Sequence, residues 1–440
     1  ATGGTVHGEF QANGVAFDSR EVGPGDLFVA LSGESTDGHR FVDGAFASGA
    51  AGAITDRAVD HPHVLVGDTA EALRALARAS RGRTGAKIIG VTGSAGKTGT
   101  KEMLFLGLDR GSRGRAHRSL KSYNNHVGVP LSLARMPRET AFGVFEMGMN
   151  HAGEIDLLQD IGRPNIRIIT NVGIAHLEGL GSIEAIAAAK GELFNGVLPG
   201  DVCCVNMDDD FVSSLRIPNG ATIIRYGSGQ DCDVQLVSAH VDPSTLHTHF
   251  TVKTDTETAT GTIPNPGIHM AHNAVGAIAV GHALNLPLGP MMEQISRYEP
   301  VGMRLRMEPG PNGTHIINDA YNANPMSVAA NLRTLANIPS SKQRRRIALL
   351  GDMLELGETE LEQHAQTAQL AKTLALDVVG FVGPRFKAIL SPGDLWAPDA
   401  ETLGSQLHGE LRPGDIILIK GSRGMRMEHV LRGINPKETA

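Results

Sequence analysis

Apolar and polar positions alternate along this chain in two different rhythms. Near the start, Phe17-Asp18-Ser19-Arg20 leads to the turn Gly23-Pro24-Gly25-Asp26 and then to an apolar run over residues 27–31 that predicts a strand. The loop Asp37-Gly38-His39 follows, and Phe41, Val42, Ala45 and Phe46 then fall at helical spacing. Residues 1–83 thus read as a small α/β unit. From residue 84 to about 310, short β-branched runs alternate with longer helical segments, as a mostly parallel sheet requires. Strands are predicted over 88–92, 142–145 and 166–170, and helices from Lys97, over 182–194 and over 267–284. From residue 311 a third unit repeats the alternation, with strands near 316–317, 347–350, 378–382 and 416–419. It has the layout of a dinucleotide-type domain without the Gly-x-Gly-x-x-Gly turn. The fold class is therefore α/β, in three domains.

The junction after the strand 88–92 carries the strongest chemical signal. Thr92-Gly93-Ser94-Ala95-Gly96-Lys97-Thr98 is a glycine-rich turn opening onto a helix. Loop N–H groups and a helix N-terminus make an anion site, Lys97 adds a full charge, and the Thr98 hydroxyl suits Mg²⁺. Val91 stands where the usual phosphate-loop pattern has its first glycine, so only the shorter Gly-x-x-Gly-Lys-Thr is met. Two further strand ends fall on the same rim, where ligands of open α/β sheets bind. One ends at Glu146, the other at Asn171 with His176 five residues on. Alone, Glu146 reads equally as a structural carboxylate, and His176 more readily as a satisfied loop histidine; the shared rim with Lys97 favours a site for both.

Lys190 breaks a pattern. In the helix capped by Ser182, the apolar stripe is Ile183, Ile186, Leu193 and Phe194, and Lys190 lies on it. Such a lysine either snorkels its stem to the surface or is paired or modified. Several polar loops leave two readings open. Asn124 and Asn125, before the apolar run at 127–131, either read a ligand or build a turn. Ser19 and Arg20 are a substrate clamp or a turn salt bridge. His269 and Asn273 lie one turn apart on an apolar helix, where Asn273 calls for a buried partner. The last strand runs into Lys420-Gly421-Ser422-Arg423, a cationic loop suited to a carboxylate.

Composition narrows the class. A chain of 440 residues exceeds one ordinary core, which fits two or three domains. A net charge of −7 disfavours nucleic-acid or anionic-membrane partners, and the run Lys342 to Arg346 reads as a solvated loop edge. Cys203, Cys204 and Cys232 have no disulfide or metal spacing, which suits a reducing cytoplasm. There is no signal-peptide pattern and no apolar run of membrane-spanning length. The sequence begins at Ala1 without an initiator methionine, which leaves room for missing N-terminal residues.

Taken together, these segments resemble the Mur ligases, the ATP-dependent amide-forming family of peptidoglycan synthesis. The resemblance covers nearly the whole length. It rests on Thr92 to Thr98, Tyr123 to Pro130, Glu146-Met147-Gly148-Met149-Asn150, Ala175 to Gly179, Asp319 to Pro325, Gly351 to Gly357 and Lys420 to Arg423. Within the family it is most similar to the branch that joins D-alanyl-D-alanine to UDP-N-acetylmuramoyl-tripeptide; the Asp-Asn-Pro-Arg of the preceding enzyme is absent. The resemblance implies an N-terminal UDP-substrate domain (1–83), a central ATP-binding domain (84–310) and a C-terminal Rossmann-like domain (311–440) that closes on ATP and takes the dipeptide. It implies that Thr92, Gly93, Ser94, Ala95, Gly96, Lys97 and Thr98 hold the ATP phosphates. Thr98 and Glu146 would hold one Mg²⁺, and His176 with Lys190, carbamylated by CO₂, a second. Asn273, Arg304, Asp319 and Tyr321 match nucleotide-contacting positions. Ser19, Arg20, Asn124, Asn125, Asn324, Lys420, Ser422 and Arg423 are the expected substrate contacts. Gly99 departs from the threonine common in the family. A monomer working on small-molecule substrates, with neither nucleic acid nor membrane, is expected. The alternatives are another ligase of the family, a folylpolyglutamate-type enzyme, a P-loop ATPase switch or an inactive scaffold. The switch lacks support from either an Asn-Lys-x-Asp or a Leu-Ser-Gly-Gly-Gln motif.

Overall fold

The computed structural model describes residues 1–33, 36–341 and 344–434. Its strands form three sheets of five, nine and six strands, in chain order. In the first, Gly14–Ala16, Asp26–Val29, Gly52–Thr55 and His63–Leu65 run parallel, and Thr5–His7 pairs antiparallel at the edge. The strand expected over 27–31 stops at Val29, where Leu31 N–H turns back to the Val29 carbonyl. Helix Thr69–Gly82 covers this unit. Asp68 caps it by accepting from Ala70 N and Glu71 N, and it buries Ala72, Leu73 and Ala77. Leu73 packs in one cluster with Leu131 and Ala134 of the next unit, so the two cores are continuous.

The nine-stranded sheet carries the phosphate loop. Lys87–Thr92 lies between Phe142–Glu146 and Ile166–Ile169, all parallel. The chain fills one side of that central strand before crossing to the other. This makes Lys87–Thr92 a topological switch point, with an open crevice beyond its carboxyl end. Val202–Asn206, Thr222–Gly227 and Val234–Val241 extend the sheet in parallel; Thr248–Lys253 and Thr258–Ile263 close it as an antiparallel meander. Helix Ile268–Ala283, apolar nearly all round, fits its burial against this sheet.

The third sheet is parallel apart from its edge pair, Arg306–Pro309 with His315–Asp319. At its centre, Ile416–Lys420 lies between His315–Asp319 and Arg346–Gly351. Of the basic run 342–346, Lys342 and Gln343 lie outside the described residues. The reading of that run as a solvated edge does not hold for its last two arginines. Arg345 forks onto Asp415 at 2.6 and 3.1 Å, and Arg346 reaches Asp377 at 3.4 Å, which ties down the start of the strand. Cys203 and Cys204 are buried in their strand and Cys232 is half-buried. Among the described residues, no helix is long and apolar enough to cross a membrane.

Candidate active site

The loop at the switch point is held by its glycines and by the neighbouring strand end. Gly93 and Gly96 have φ of 149° and 79°, conformations side chains resist. A Cβ at Gly93 would stand 1.9 Å from Thr170 Oγ1, and one at Gly96 2.2 Å from Asn273 Oδ1. Asn171 clamps the loop: its Oδ1 accepts from Ala95 N at 2.9 Å and its Nδ2 donates to Ala95 O at 3.1 Å. Helix Lys97–Ser112 then begins without a side-chain cap. The N–H groups of Lys97, Thr98 and Gly99 meet no acceptor among the described residues, which is the condition for binding an anion. Lys97 folds back so that Nζ donates to the Gly93 carbonyl at 2.6 Å, and burial lowers its pKa. A phosphate placed in the loop would take over that proton donor.

A cavity of about 580 Å³ opens in front of the loop, walled by the central unit on one side and the C-terminal unit on the other. Ser94, Ala95, Gly96, Lys97, Thr98, Asn124, Glu146, His176, Lys190 and Asn273 line it from the central unit. Arg304, from the junction, and Asp319, Tyr321, Asn324 and Lys420 line it from beyond. Thr92, Gly93, Asn125, Ser422, Ser19, Arg20 and Arg423 do not. Thr92 ends the strand beneath the loop, where its carbonyl accepts from Thr170 N.

At the floor, Thr98 Oγ1 donates to Glu146 Oε2 at 2.8 Å, and Asn124 Nδ2 to Glu146 Oε1 at 2.8 Å. Glu146 is 1% exposed. Behind it stands Lys101, fully buried, 3.9 Å from Glu146 Oε2 and 3.0 Å from Glu102 Oε1, donating to the carbonyls of Ser119 and Lys121. Hydroxyl and carboxylate are hard donors that fit Mg²⁺, which takes few protein ligands and completes its shell with phosphate and water. Among the described residues no group of three or more His, Cys, Asp or Glu could hold a metal.

Lys190 is 2% exposed and makes no hydrogen bond or ion pair among the described residues, so the snorkelling alternative fails. Burial lowers its pKa well below the ordinary lysine value, and the Lys97 charge adds to this. The amine therefore faces the cavity with its charged form disfavoured both by burial and by the neighbouring Lys97. His176, at φ 57°, pairs through Nδ1 with Glu355 Oε2 of the C-terminal unit at 2.6 Å. That bond holds the Glu355 carboxyl below its usual range.

On the far wall, the Arg304 guanidinium lies 3.8 Å over the Tyr321 ring and donates to Ser122 Oγ at 2.6 Å. Asn324 caps helix Pro325–Ala336 in a reciprocal box with Ser327, and its Nδ2 reaches Ser94 O at 3.4 Å. Three expectations need correcting. Lys420 is not a free cation for a carboxylate: it is buried and bonded to Asp319 Oδ2 at 2.5 Å and Asn322 O at 3.0 Å. Ser422 is buried against Leu354 N, and Arg423 is exposed and paired with Glu428, so the stretch is no cationic cradle. Among the described residues the Asn273 amide finds no oxygen or nitrogen partner, only the sulfur of buried Met270 at 4.0 Å, and it lies against Gly96 and Gly99. Asn125 builds the turn, its Oδ1 accepting from Val127 N and Gly128 N. Arg20 is exposed and paired with Asp18, whose pKa it lowers to about 2, so the turn salt bridge is the reading found there.

Sequence reasoning gave no role to Ser122, Lys101 or Glu355. Lys101 could have been found as a lysine one helical turn beyond Lys97. Glu355 could not, because its partner comes from another unit.

Residues 91–281 match the family model described as Mur ligase middle domain. Residues 303–423 match that described as Mur ligase, glutamate ligase domain, and residues 11–81 that described as Mur ligase family, catalytic domain. The UDP-N-acetylmuramoyl-tripeptide–D-alanyl-D-alanine ligase of Bacillus subtilis is 36% identical over 436 residues, covering 96% of this chain and 93% of the relative. The crystal structure of MurF from Acinetobacter baumannii aligns with a TM-score of 0.86 at 30% identity, covering 96% of this chain and 93% of that one. MurF from Thermotoga maritima in complex with ADP aligns with a TM-score of 0.83 at 27% identity, covering 97% and 98%.

Proposed function

We propose a function from the premise that this chain belongs to the Mur ligase family. It is an ATP-dependent ligase that joins D-alanyl-D-alanine to UDP-N-acetylmuramoyl-tripeptide, giving the pentapeptide, ADP and phosphate. The observation that carries the mechanism is the meeting in one cavity of an empty-handed helix N-terminus, Lys97, the Thr98–Glu146 pair and a buried, unpaired Lys190.

The chemical difficulty is that a carboxylate must approach a triphosphate. A tripeptide carboxylate oxygen attacks the γ-phosphorus, the bond to the β-phosphate oxygen breaks, and ADP departs from an acyl phosphate. The dipeptide amine then attacks the acyl carbon, and phosphate leaves carrying the original carboxylate oxygen. Charge neutralisation and positioning therefore account for most of the rate. The free N–H groups of Lys97, Thr98 and Gly99 orient the phosphates, and Lys97 moves its donor from the Gly93 carbonyl to the transferring group. Thr98 and Glu146 would hold one Mg²⁺ and His176 with Lys190 a second; bound there, the two cations supply Lewis-acid neutralisation of both anions. The neutral Lys190 amine adds CO₂ to give a carbamate and releases one proton to water. The repulsion that an ammonium here would feel from Lys97 is thereby replaced by attraction. Arg304 and Tyr321 flank the nucleotide, with Asn273 beneath the loop. The N-terminal unit takes the UDP-sugar portion and the C-terminal unit the dipeptide. Soluble nucleotide substrates support a cytoplasmic setting.

Phosphate release tests this reading. Release should require the tripeptide substrate and D-alanyl-D-alanine together, with either the diaminopimelate or the lysine peptide preferred. Rapid release from ATP alone would instead indicate a switch.

A further inference from the structure

Across the boundary between the central and C-terminal units, two residues in the left-handed backbone region meet. His176 has φ 57° and Glu355 φ 65°, a conformation disfavoured for any residue with a Cβ. Nδ1 of the imidazole lies 2.6 Å from Glu355 Oε2. A carboxylate only accepts, so Nδ1 carries a proton; in the neutral ring this leaves the lone pair on Nε2, which has no partner among the described residues, on a ring that lines the cavity. The backbone reinforces the contact. Glu178 N–H donates to Glu355 O at 3.2 Å, and Gly357, φ 57°, sits so close that a Cβ there would stand 3.3 Å from Glu178 Cα. The loop presenting Glu355 is itself fixed: Leu354 N donates to Ser422 Oγ at 2.9 Å, and Met353 N to His364 Nε2 at 3.0 Å. Ser422 N in turn donates to Asp352 O at 3.1 Å.

We propose that Glu355 is the positioning residue for His176: seated from the C-terminal unit, it fixes the imidazole tautomer so that Nε2 faces the reaction cavity only when the two units are docked. The inference rests on the ligase reading above, in which His176 and Lys190 hold a cation. A carboxylate behind a ligating imidazole sets its tautomer and orientation. Here that carboxylate belongs to the C-terminal unit and the imidazole to the central one, so docking and ligand presentation become one event. Ser422 acquires a role by the same argument, as part of the brace behind the loop.

A double-mutant cycle over Glu355→Ala and His176→Ala tests the proposal. Glu355→Ala should lower kcat about 10–100-fold. The double variant should be no slower than His176→Ala alone, because Glu355 acts only through the ring. Glu355→Gln, whose amide oxygen still accepts from Nδ1, should recover most of the rate. Glu355→Asn tolerates the left-handed backbone but cannot reach, and should fall with the alanine variant. Independently of turnover, paramagnetic resonance titration with Mn²⁺ and a non-hydrolysable ATP analogue should show one ion weakened about 10–100-fold in Glu355→Ala. Arg344→Ala, which severs only a separate contact between the units, Arg344 to Pro243 O at 2.8 Å, should change neither quantity. Additive losses in the cycle, wild-type Mn²⁺ binding in Glu355→Ala, or wild-type behaviour of Glu355→Asn would each overturn the proposal. Failure of the ligase reading shows separately, as wild-type phosphate release that ignores D-alanyl-D-alanine.

Discussion

Replacing Lys190 by Met should make the protein more stable and leave it unable to ligate. The amine is 2% exposed, has no hydrogen-bond partner among the described residues and sits near Lys97. A buried polar group without a partner costs about 1–3 kcal/mol, and methionine fills a similar unbranched volume without that cost. In CO₂-free buffer the variant should therefore gain about 1–3 kcal/mol at high pH, where both states are neutral, and more toward neutral pH. For a unit the size of the central one, that is about 2–4 °C in Tm per kcal/mol. The pH dependence has a definite sign. The folded-state pKa of Lys190 lies well below 10.5. Between those two values the unfolded chain binds more protons than the native one, so wild-type stability rises with pH and the advantage of the variant shrinks. The limiting slope is about 1.4 kcal/mol per pH unit. Scanning calorimetry of both proteins in degassed buffer, from neutral pH upward, reads both effects. A variant less stable than wild type, an advantage that grows with pH, or retained ligation would refute the reasoning.

Other perturbations follow from the same geometry. Lys97→Ala should lower kcat by about 10²–10³-fold or more while leaving the unfolding transition in place, since the lost interaction is with transferring phosphate; stopped-flow phosphate release measures it, and a near-normal rate would remove the phosphate-loop assignment. Gly96→Ala should abolish nucleotide binding in calorimetric titration, because its φ of 79° and a Cβ 2.2 Å from Asn273 Oδ1 force the loop open. Asn324→Ala removes a reciprocal helix cap and should cost about 0.5–2 kcal/mol in stability, seen as a lower Tm of the C-terminal unit. Lys190→Ala should regain part of its ligase activity with added short-chain carboxylates, which replace the carbamate; full activity without them would contradict that role.

Local features of the site were legible in sequence, and long-range ones were not. The strand, loop and helix around Gly93 and Lys97 declare themselves because an apolar run, two glycines and a lysine impose their geometry within a few residues. Lys190 stood out because helical period places it among buried positions, where an ammonium conflicts with its surroundings. By contrast, Lys420 read as a free cation because its neutraliser, Asp319, is its register partner on the adjacent strand, about a hundred residues earlier. Strand pairing, not local pattern, cancels that charge. Asn273 was expected to find a buried partner because an apolar helix gives no hint that a cavity runs along one face. Helix Thr69–Gly82 went unnamed although Asp68 and Glu71 mark its start and one face of it is clearly apolar. The pairing of His176 with Glu355 depends on how two units dock, which no single stretch encodes.

The fate of one oxygen atom tests the central claim most directly. Tripeptide substrate carrying ¹⁸O in its terminal carboxylate, turned over with ATP and D-alanyl-D-alanine, should deliver one ¹⁸O into the released phosphate. Phosphate free of the label would mean that the carboxylate never attacked phosphorus, and that the cavity does not activate acids as described.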